Sequence, residues 1–346
     1  MSSPAATPAT AAKPHAFAPV FALLAPHMAE LDRFLHSQLA SFEPEIRAMA
    51  DYCIDTSGKR IRPALVFLSG WRGPTTVTPD LVRVAAVVEL VHLATLVHDD
   101  IMDEALYRRG VPTVNSVEGS NQALLVGDFL LARAGVEAAF VSADVALSLA
   151  VTISDLCDGQ SLEGLHQGRT DRSVDDAIES IKGKTGALMR AACDIGALCV
   201  GRLDLAEAFG SFGMNFGISF QLVDDLLDLL STEELMGKPV NNDVRAGVFT
   251  VPMLVAVQEA TGAHREHLRD LMLAASASPE AAAEFREHVL QSSAVATTMA
   301  LIDQYNELAR KALAVVAPSK TRDGLLEVPQ RYLDGILAEK VPANLR

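Results

Sequence analysis

The 346-residue chain carries 44 acidic residues against 29 Lys and Arg, a formal net charge of −15, and is 49% hydrophobic but only 5% aromatic. With no Lys/Arg block to set against that acidic excess, it lacks the basic face by which nucleic-acid-binding proteins hold phosphates. An Ala-, Leu- and Val-rich chain poor in aromatics favours packed helices over sheets.

Residues 1–16, with three prolines and no apolar signal-like core, are expected to form a disordered tail rather than a targeting peptide. From about Phe17 apolar residues recur at helical spacing almost to the end, without convincing strand alternation, which predicts a single all-α domain over 17–346. Leu81–Val97 is apolar on nearly every face, so it is expected as a buried central helix. Further helices are predicted over Asn121–Phe140, over Ile178–Val200, which glycines interrupt, and over Ala206–Leu230, with breaks at 72–79, 110–119, 168–172 and 237–247. Amphipathic helices such as Phe285–Leu290 and Ile302–Val315 follow. The longest uncharged run, Ala208–Val223, has sixteen residues, short of the roughly 20 that a membrane span needs, so no integral membrane segment is expected. Cys53, Cys157, Cys193 and Cys199 show no CxxC spacing and are expected as reduced core residues of a cytoplasmic protein.

Two of the buried-looking helices end in carboxylates. HDDIMDEALYRRG places Asp99 and Asp103 four residues apart on one helix face, with Asp100 beside them. GISFQLVDDLLDLL repeats the pattern with Asp224, Asp225 and Asp228. Carboxylates this close repel one another unless a cation compensates, and oxygen-only ligands suit a hard ion such as Mg²⁺. One such triplet is expected by composition about once in this chain; two, each ending an apolar helix, point to facing metal-binding rims at the mouth of a deep apolar cavity. Cations punctuate the same chain: Lys59, Arg60 and Arg62 in GKRIRP, Arg108 and Arg109, Lys184 beside Thr185 in IKGKTG, and Lys238 in MGKP. Arg forks and Lys point charges together describe a pocket for diphosphate substrates.

GKRIRP, VELVHLATLVHDDIMDEALYRRGVPT, LLVGDFLLARA, DGQSLE, GKTGALM and FGISFQLVDDLLDLL occur in the order and approximate spacing of the trans-isoprenyl diphosphate synthases, or polyprenyl synthetases, which the chain resembles over roughly residues 45–255. The resemblance implies an all-α isoprenoid synthase fold, usually homodimeric, that condenses an allylic prenyl diphosphate with successive isopentenyl diphosphates. It implies Mg²⁺ held by Asp99, Asp103, Asp224 and Asp228, with Asp100 and Asp225 completing the rims. Lys59, Arg62, His92 and Arg109 match positions that grip isopentenyl diphosphate, and Arg108 one that grips the allylic diphosphate. Lys184, Thr185 and Gln221 match residues near the developing cation, and Lys238 a lysine that closes over diphosphate.

The chain departs from the pattern at Ser57 and Asn241, often Gly, at Val248, often Lys, and at Asn115, often His. Short-chain members commonly carry bulky aromatics four or five residues before the first aspartate. Here those positions are Thr95 and Ala94, with Val91 one turn further, and small side chains leave no floor, which favours a long product of about C30 to C50. A geranylgeranyl or farnesyl diphosphate synthase is the nearest alternative, its floor supplied by Phe129 or Phe140. A terpene cyclase fits less well, because its second metal motif mixes residue types and it needs no second diphosphate site. A non-catalytic subunit of a heteromeric synthase is argued against by the intact aspartates.

Overall fold

The computed structural model describes residues 18–38, 43–55, 58, 60–73, 75–236, 240–342 and 345. The expected tail at 1–16 lies outside them. In chain order come α1 (Ala18–Gln38), α2 (Pro44–Asp55), α3 (Ile61–Ser69), α4 (Pro79–Met102), a hairpin of β1 (Tyr107–Arg108) and β2 (Val111–Pro112), α5 (Val114–Glu118), α6 (Ser120–Val141) and α7 (Ala143–His166). Next are α8 (Val174–Ile181), a π-helical turn at Lys182–Gly186, α9 (Ala187–Cys199), α10 (Ala206–Leu230), α11 (Glu233–Met236), α12 (Asn242–Arg245), α13 (Val251–Glu259), α14 (Gly262–Ala274), α15 (Pro279–Gln291), α16 (Ala294–Ala312) and α17 (Lys320–Lys340). The buried apolar side chains form one cluster running from Leu24 to Val341.

The central helix α4 has no polar face because it is surrounded: it packs on α6, α3, α9 and α1. Contrary to the expectation that no stretch qualifies as a span, α4 has the length for one, and its most apolar stretch has a mean hydropathy of 1.7. That stretch is 72% buried inside the protein, so its hydrophobicity serves the core. Glu137 on α6 is almost fully buried and accepts from Arg133 at 2.5 Å and from Arg83 of α4. Removing either arginine would leave a buried carboxylate less compensated.

The predicted helix Ile178–Val200 is helical as far as Cys199, but it is divided into α8, the π turn and α9, where Gly183 lies against α7. A Cβ on Gly159 of α7 would stand 2.6 Å from the Gly183 carbonyl carbon, closer than packed atoms approach. Of the cysteines, Cys53 and Cys193 are buried and Cys199 is half-buried, whereas Cys157 is exposed, not a core residue. Among the described residues the strand-free expectation gives way only at the hairpin, four residues of which are paired, Tyr107 with Pro112 and Arg108 with Val111.

On α9, Asp194 sits against α7 with the Ser148 hydroxyl 3.2 Å from one carboxylate oxygen and 3.3 Å from the other. Burial pushes its carboxyl up to about 7, although Ser148 and Arg190 oppose the shift. An unfolded Asp titrates near about 3.9. Between those values the folded chain holds a proton that the unfolded chain has lost, so stability falls as pH rises through this window and levels off above it. Asp194→Asn is expected to remove that slope and to raise unfolding free energy by about 1–2 kcal/mol at alkaline pH. Urea melts of both proteins at acid and alkaline pH check this, and a variant weaker than the parent at alkaline pH would contradict it.

Candidate active site

The end of α4 divides its three aspartates between two tasks. The Asp103 N–H donates to the Asp99 carbonyl at 2.8 Å, so the helical register persists to the cap and both side chains share one face. Asp99 is half-buried and Asp103 exposed. Burial raises the Asp99 carboxyl above the usual carboxylate range; Lys184 pulls against the shift and Asp103 adds to it. Asp100 is buried and turned away, accepting from Arg108 Nε at 2.8 Å. The hairpin causes this by folding β1 back along the helix end. Asn115 supports the return, its Nδ2 donating to the Asp100 and Ala105 carbonyls at 3.2 Å each.

Opposite lies the π turn. Lys184 Nζ donates to Glu163 of α7 at 2.5 Å. Burial works against its charge, but Glu163, Asp99 and Asp103 outweigh it and hold the ammonium above its usual range. Thr185 donates to Gln221 Oε1 at 2.9 Å, and Gln221 Nε2 donates to Asp225 Oδ1 at 2.9 Å. This relay orients the Gln221 amide and ties the π turn to α10.

The second cluster also splits. Asp225 is buried, and its carboxyl is pushed up to about 7 by burial, with Gln221 opposing and Asp224 adding to the rise. Asp228, buried too, accepts the backbone N–H groups of Asn242 at 3.2 Å and Asp243 at 3.3 Å. Asp224 is exposed and accepts from the Tyr332 hydroxyl of α17 at 2.9 Å. Tyr332 stacks on Phe220, ring centroids 4.5 Å apart.

The cations gather beyond α4. Arg62 Nη1 donates to His92 Nε2 at 3.4 Å, and Arg62 Nε is buried with no partner among the described residues. Burial lowers the Arg62 guanidinium, with Glu89 and Asp224 opposing. Arg109 is lowered by burial and by Arg108. His92 falls well below its usual value through burial and the charges of Arg62, Arg109 and Arg108, so it is neutral and accepts from Arg62. Gly58 packs flat on Arg109, where a Cβ would lie 2.5 Å from Nη1. Arg60 is drawn elsewhere: its left-handed backbone (φ 51°) turns it towards Asp32 and Glu89. Lys59, Lys238 and Ser57 lie outside the described residues.

Asn241 adopts φ 58°, a conformation Asn tolerates better than most residues, so its replacement of Gly is accommodated. Val248 continues the loop, its N–H donating to the Asp243 carbonyl at 2.8 Å. On the wall, Val91 and Ala94 are fully buried, whereas Thr95 is half-buried with its hydroxyl on the His92 carbonyl at 2.8 Å. Phe129 is partly buried against the core, but Phe140 is 70% exposed, so it is no internal floor. The sequence reading does not single out Glu163 or Tyr332. Glu163 closes the DGQSLE motif, which offers a usable signal; Tyr332 lies in no motif.

The polyprenyl synthetase family model matches residues 43–289. The nonaprenyl diphosphate synthase of Mycobacterium tuberculosis is 33% identical over 293 residues, covering 84% of this chain and 86% of that one. Among solved structures, a decaprenyl diphosphate synthase from Rhodobacter capsulatus superposes with a TM-score of 0.84 at 28% identity, covering 91% and 98% of the two chains. A polyprenyl synthase from Caulobacter crescentus, complexed with calcium and isoprenyl diphosphate, gives 0.85 at 29%, covering 93% and 99%.

Proposed function

The chain belongs to the polyprenyl synthetase family, and from that premise we propose that it is a trans-prenyltransferase that joins an allylic prenyl diphosphate to successive isopentenyl diphosphates, making an all-trans polyprenyl diphosphate of about C30 to C50. One observation carries this reading. Asp99 and Asp103 at the end of α4 and Asp224 on α10 present carboxylates open to solvent, with Lys184 on Glu163 and Arg62 on His92 close by, an arrangement that cations and anionic substrates would jointly neutralise.

The donor set fits a hard divalent ion. Asp99, Asp103 and Asp224 offer only oxygens and retain access to solvent, which suits Mg²⁺ sharing its coordination with diphosphate oxygens and water. When bound, Mg²⁺ supplies positive charge to a departing diphosphate. Asp225 acts behind the rim by holding Gln221, and Asp228, which the resemblance assigns to Mg²⁺, is placed behind it too, because both its oxygens already accept backbone N–H groups at 242–243. Lys184, steadied by Glu163, holds the allylic diphosphate from the opposite side. Arg62, neutral His92, Arg109 and Lys59 hold isopentenyl diphosphate, and Lys238 closes over the allylic group.

Arg108 serves that group too, its fork oriented by Asp100. As the allylic carbon–oxygen bond breaks, the electrons of the isopentenyl double bond form the new carbon–carbon bond, and a proton leaves to the released diphosphate. The oxygens of Thr185 and Gln221 face the positive charge that develops, so the protein contributes chiefly position and electrostatics.

Product length rests on the wall below Asp99. Incubation with farnesyl diphosphate, isopentenyl diphosphate and Mg²⁺ is expected to give products of about C30 to C50; a distribution ending at C20 would overturn the long-chain reading, and inactivity of the single chain would favour a non-catalytic subunit. Thr95→Phe is expected to shorten the product by several isoprene units. It is a cleaner probe than Ala94→Phe, which should shorten the product as well but overpacks a position with no free space, at a cost of about 1–3 kcal/mol. An unchanged length in both variants would remove this face from the chain's path.

Leu125, Val136 and Phe140 on α6 and Leu147 and Val151 on α7 are exposed at helical spacing on two helices that pack on each other, apolar surface that supports pairing with a second copy of this chain. Leu125→Glu with Val136→Glu is expected to convert a dimer into a monomer in sedimentation velocity; a monomeric parent would refute the assignment. Four cysteines without disulfides support a reducing, cytoplasmic setting.

A further inference from the structure

Away from the carboxylate rims, α14 and α15 bring together a second group of metal-competent side chains. His264 and His267 stand three residues apart on α14, and Glu284 and His288 stand four apart on α15, so each pair shares one helix face. The two helices are joined by residues 275–278 and pack on each other. One ligand atom from each of His267, Glu284 and His288 lies within 4.8 Å of the other two. His267 Nε2 is already 3.1 Å from Glu284 Oε1, and the His264 ring centroid is 5.2 Å from that of His288.

We propose that these side chains form a site for a nitrogen-preferring divalent metal such as Zn²⁺, with His267, Glu284 and His288 as ligands and His264 placed to supply a fourth. Ligands at metal–nitrogen distances of about 2.0–2.1 Å around a tetrahedral ion are separated by roughly 3.4 Å. The His267–Glu284 spacing already meets that value. His288, whose ligand atom lies within 4.8 Å of the other two, needs a shift of at most about 1.4 Å to reach that separation, within reach of ordinary side-chain rotation. Imidazole nitrogens with one carboxylate favour Zn²⁺, Cu²⁺ and Ni²⁺ over Mg²⁺, whereas the oxygen-only rims have the reverse preference. The two sites therefore differ in metal as well as in place. An ion here would clasp α14 to α15 and take no part in prenyl transfer.

The test uses the full chain without a histidine tag, with excess Mg²⁺ present to occupy the rims. Calorimetric titration with Zn²⁺ is expected to show one equivalent bound. Loss of a ligand in His288→Ala or His267→Ala should weaken binding at least as much as loss of an outer-shell partner does, about 10- to 100-fold. Cu²⁺ bound to the parent should show nitrogen superhyperfine coupling in its electron paramagnetic resonance spectrum, reduced in both variants, while Mg²⁺-supported prenyl transfer stays at parental level. Equal Zn²⁺ binding by parent and His288→Ala, no Zn²⁺ binding by the parent, or a Cu²⁺ spectrum without nitrogen coupling would each overturn the assignment.

Discussion

Asp99→Asn is expected to lower kcat/KM by about 10³-fold or more with the fold intact, because it removes a rim carboxylate whose charge is needed where the diphosphate departs. Asp99 shares its helix face with Asp103 and feels Lys184 across the site, so its loss also leaves the Lys184 ammonium less balanced. Asp100→Asn provides the contrast. That carboxylate is spent on Arg108, and an amide still accepts one hydrogen bond, so a loss of about 10- to 100-fold is expected, mainly as a raised KM. Steady-state incorporation of labelled isopentenyl diphosphate, measured over a range of Mg²⁺ concentrations, separates the two. Asp99→Asn should also shift the Mg²⁺ dependence to higher concentration, and Asp100→Asn should not. Equal losses in both variants would mean that the three aspartates act as one cluster and that the hairpin does not divide them.

Gly159→Ala is expected to be strongly damaging for the addition of one methyl group. The added carbon would meet the Gly183 Cα at 2.7 Å and crowd the Lys184 amide. These are backbone atoms, which cannot rotate aside, so α7 must move away from the π turn. A cost of about 3 kcal/mol follows from overpacking of this kind, seen as a fall of roughly 4 °C in Tm for a chain of this length. Activity should drop further than stability, because α7 also carries Glu163, the partner of Lys184. Gly164→Ala, in the same helix with nothing within 4 Å of the new Cβ, is expected to be neutral or to stabilise by about 0.5–1 kcal/mol through helix propensity. Thermal melts of the two variants beside the parent decide the matter. Similar curves for both would show that α7 and the π turn yield to one another.

Much of this arrangement is legible along the chain because its physics is local. Ala206–Leu230 emerges with the same bounds in sequence and structure, since an apolar run that stops at carboxylates is both a burial pattern and a helix end. The Asp99–Asp103 and Asp224–Asp228 spacings carry their geometry with them. Partnerships across long separations are not legible in this way. Nothing near Asp100 reveals that a hairpin returns Arg108 to it, and nothing near Arg60 reveals that a left-handed backbone aims it at Asp32 while Arg62, two residues on, faces His92. Glu163 finds Lys184 across 21 residues and Tyr332 finds Asp224 across 108. Such pairings depend on how whole helices pack, which periodicity does not encode. Phe140 misleads for a related reason: an aromatic on an apolar helix suggests an inner wall, but this one faces outward.

The bond between Tyr332 and Asp224 also sets a schedule. From the moment Asp224 is joined to the growing chain, 108 residues must still be added before its phenolic partner exists, and at about 5–20 residues per second that is a delay of roughly 5–20 s. Throughout that interval Asp224 lacks the hydroxyl that Tyr332 supplies, and α10 also lacks α16 and α17, on which it packs. A nascent chain of this protein therefore completes the α10 side of its core and its carboxylate rim together, late in synthesis.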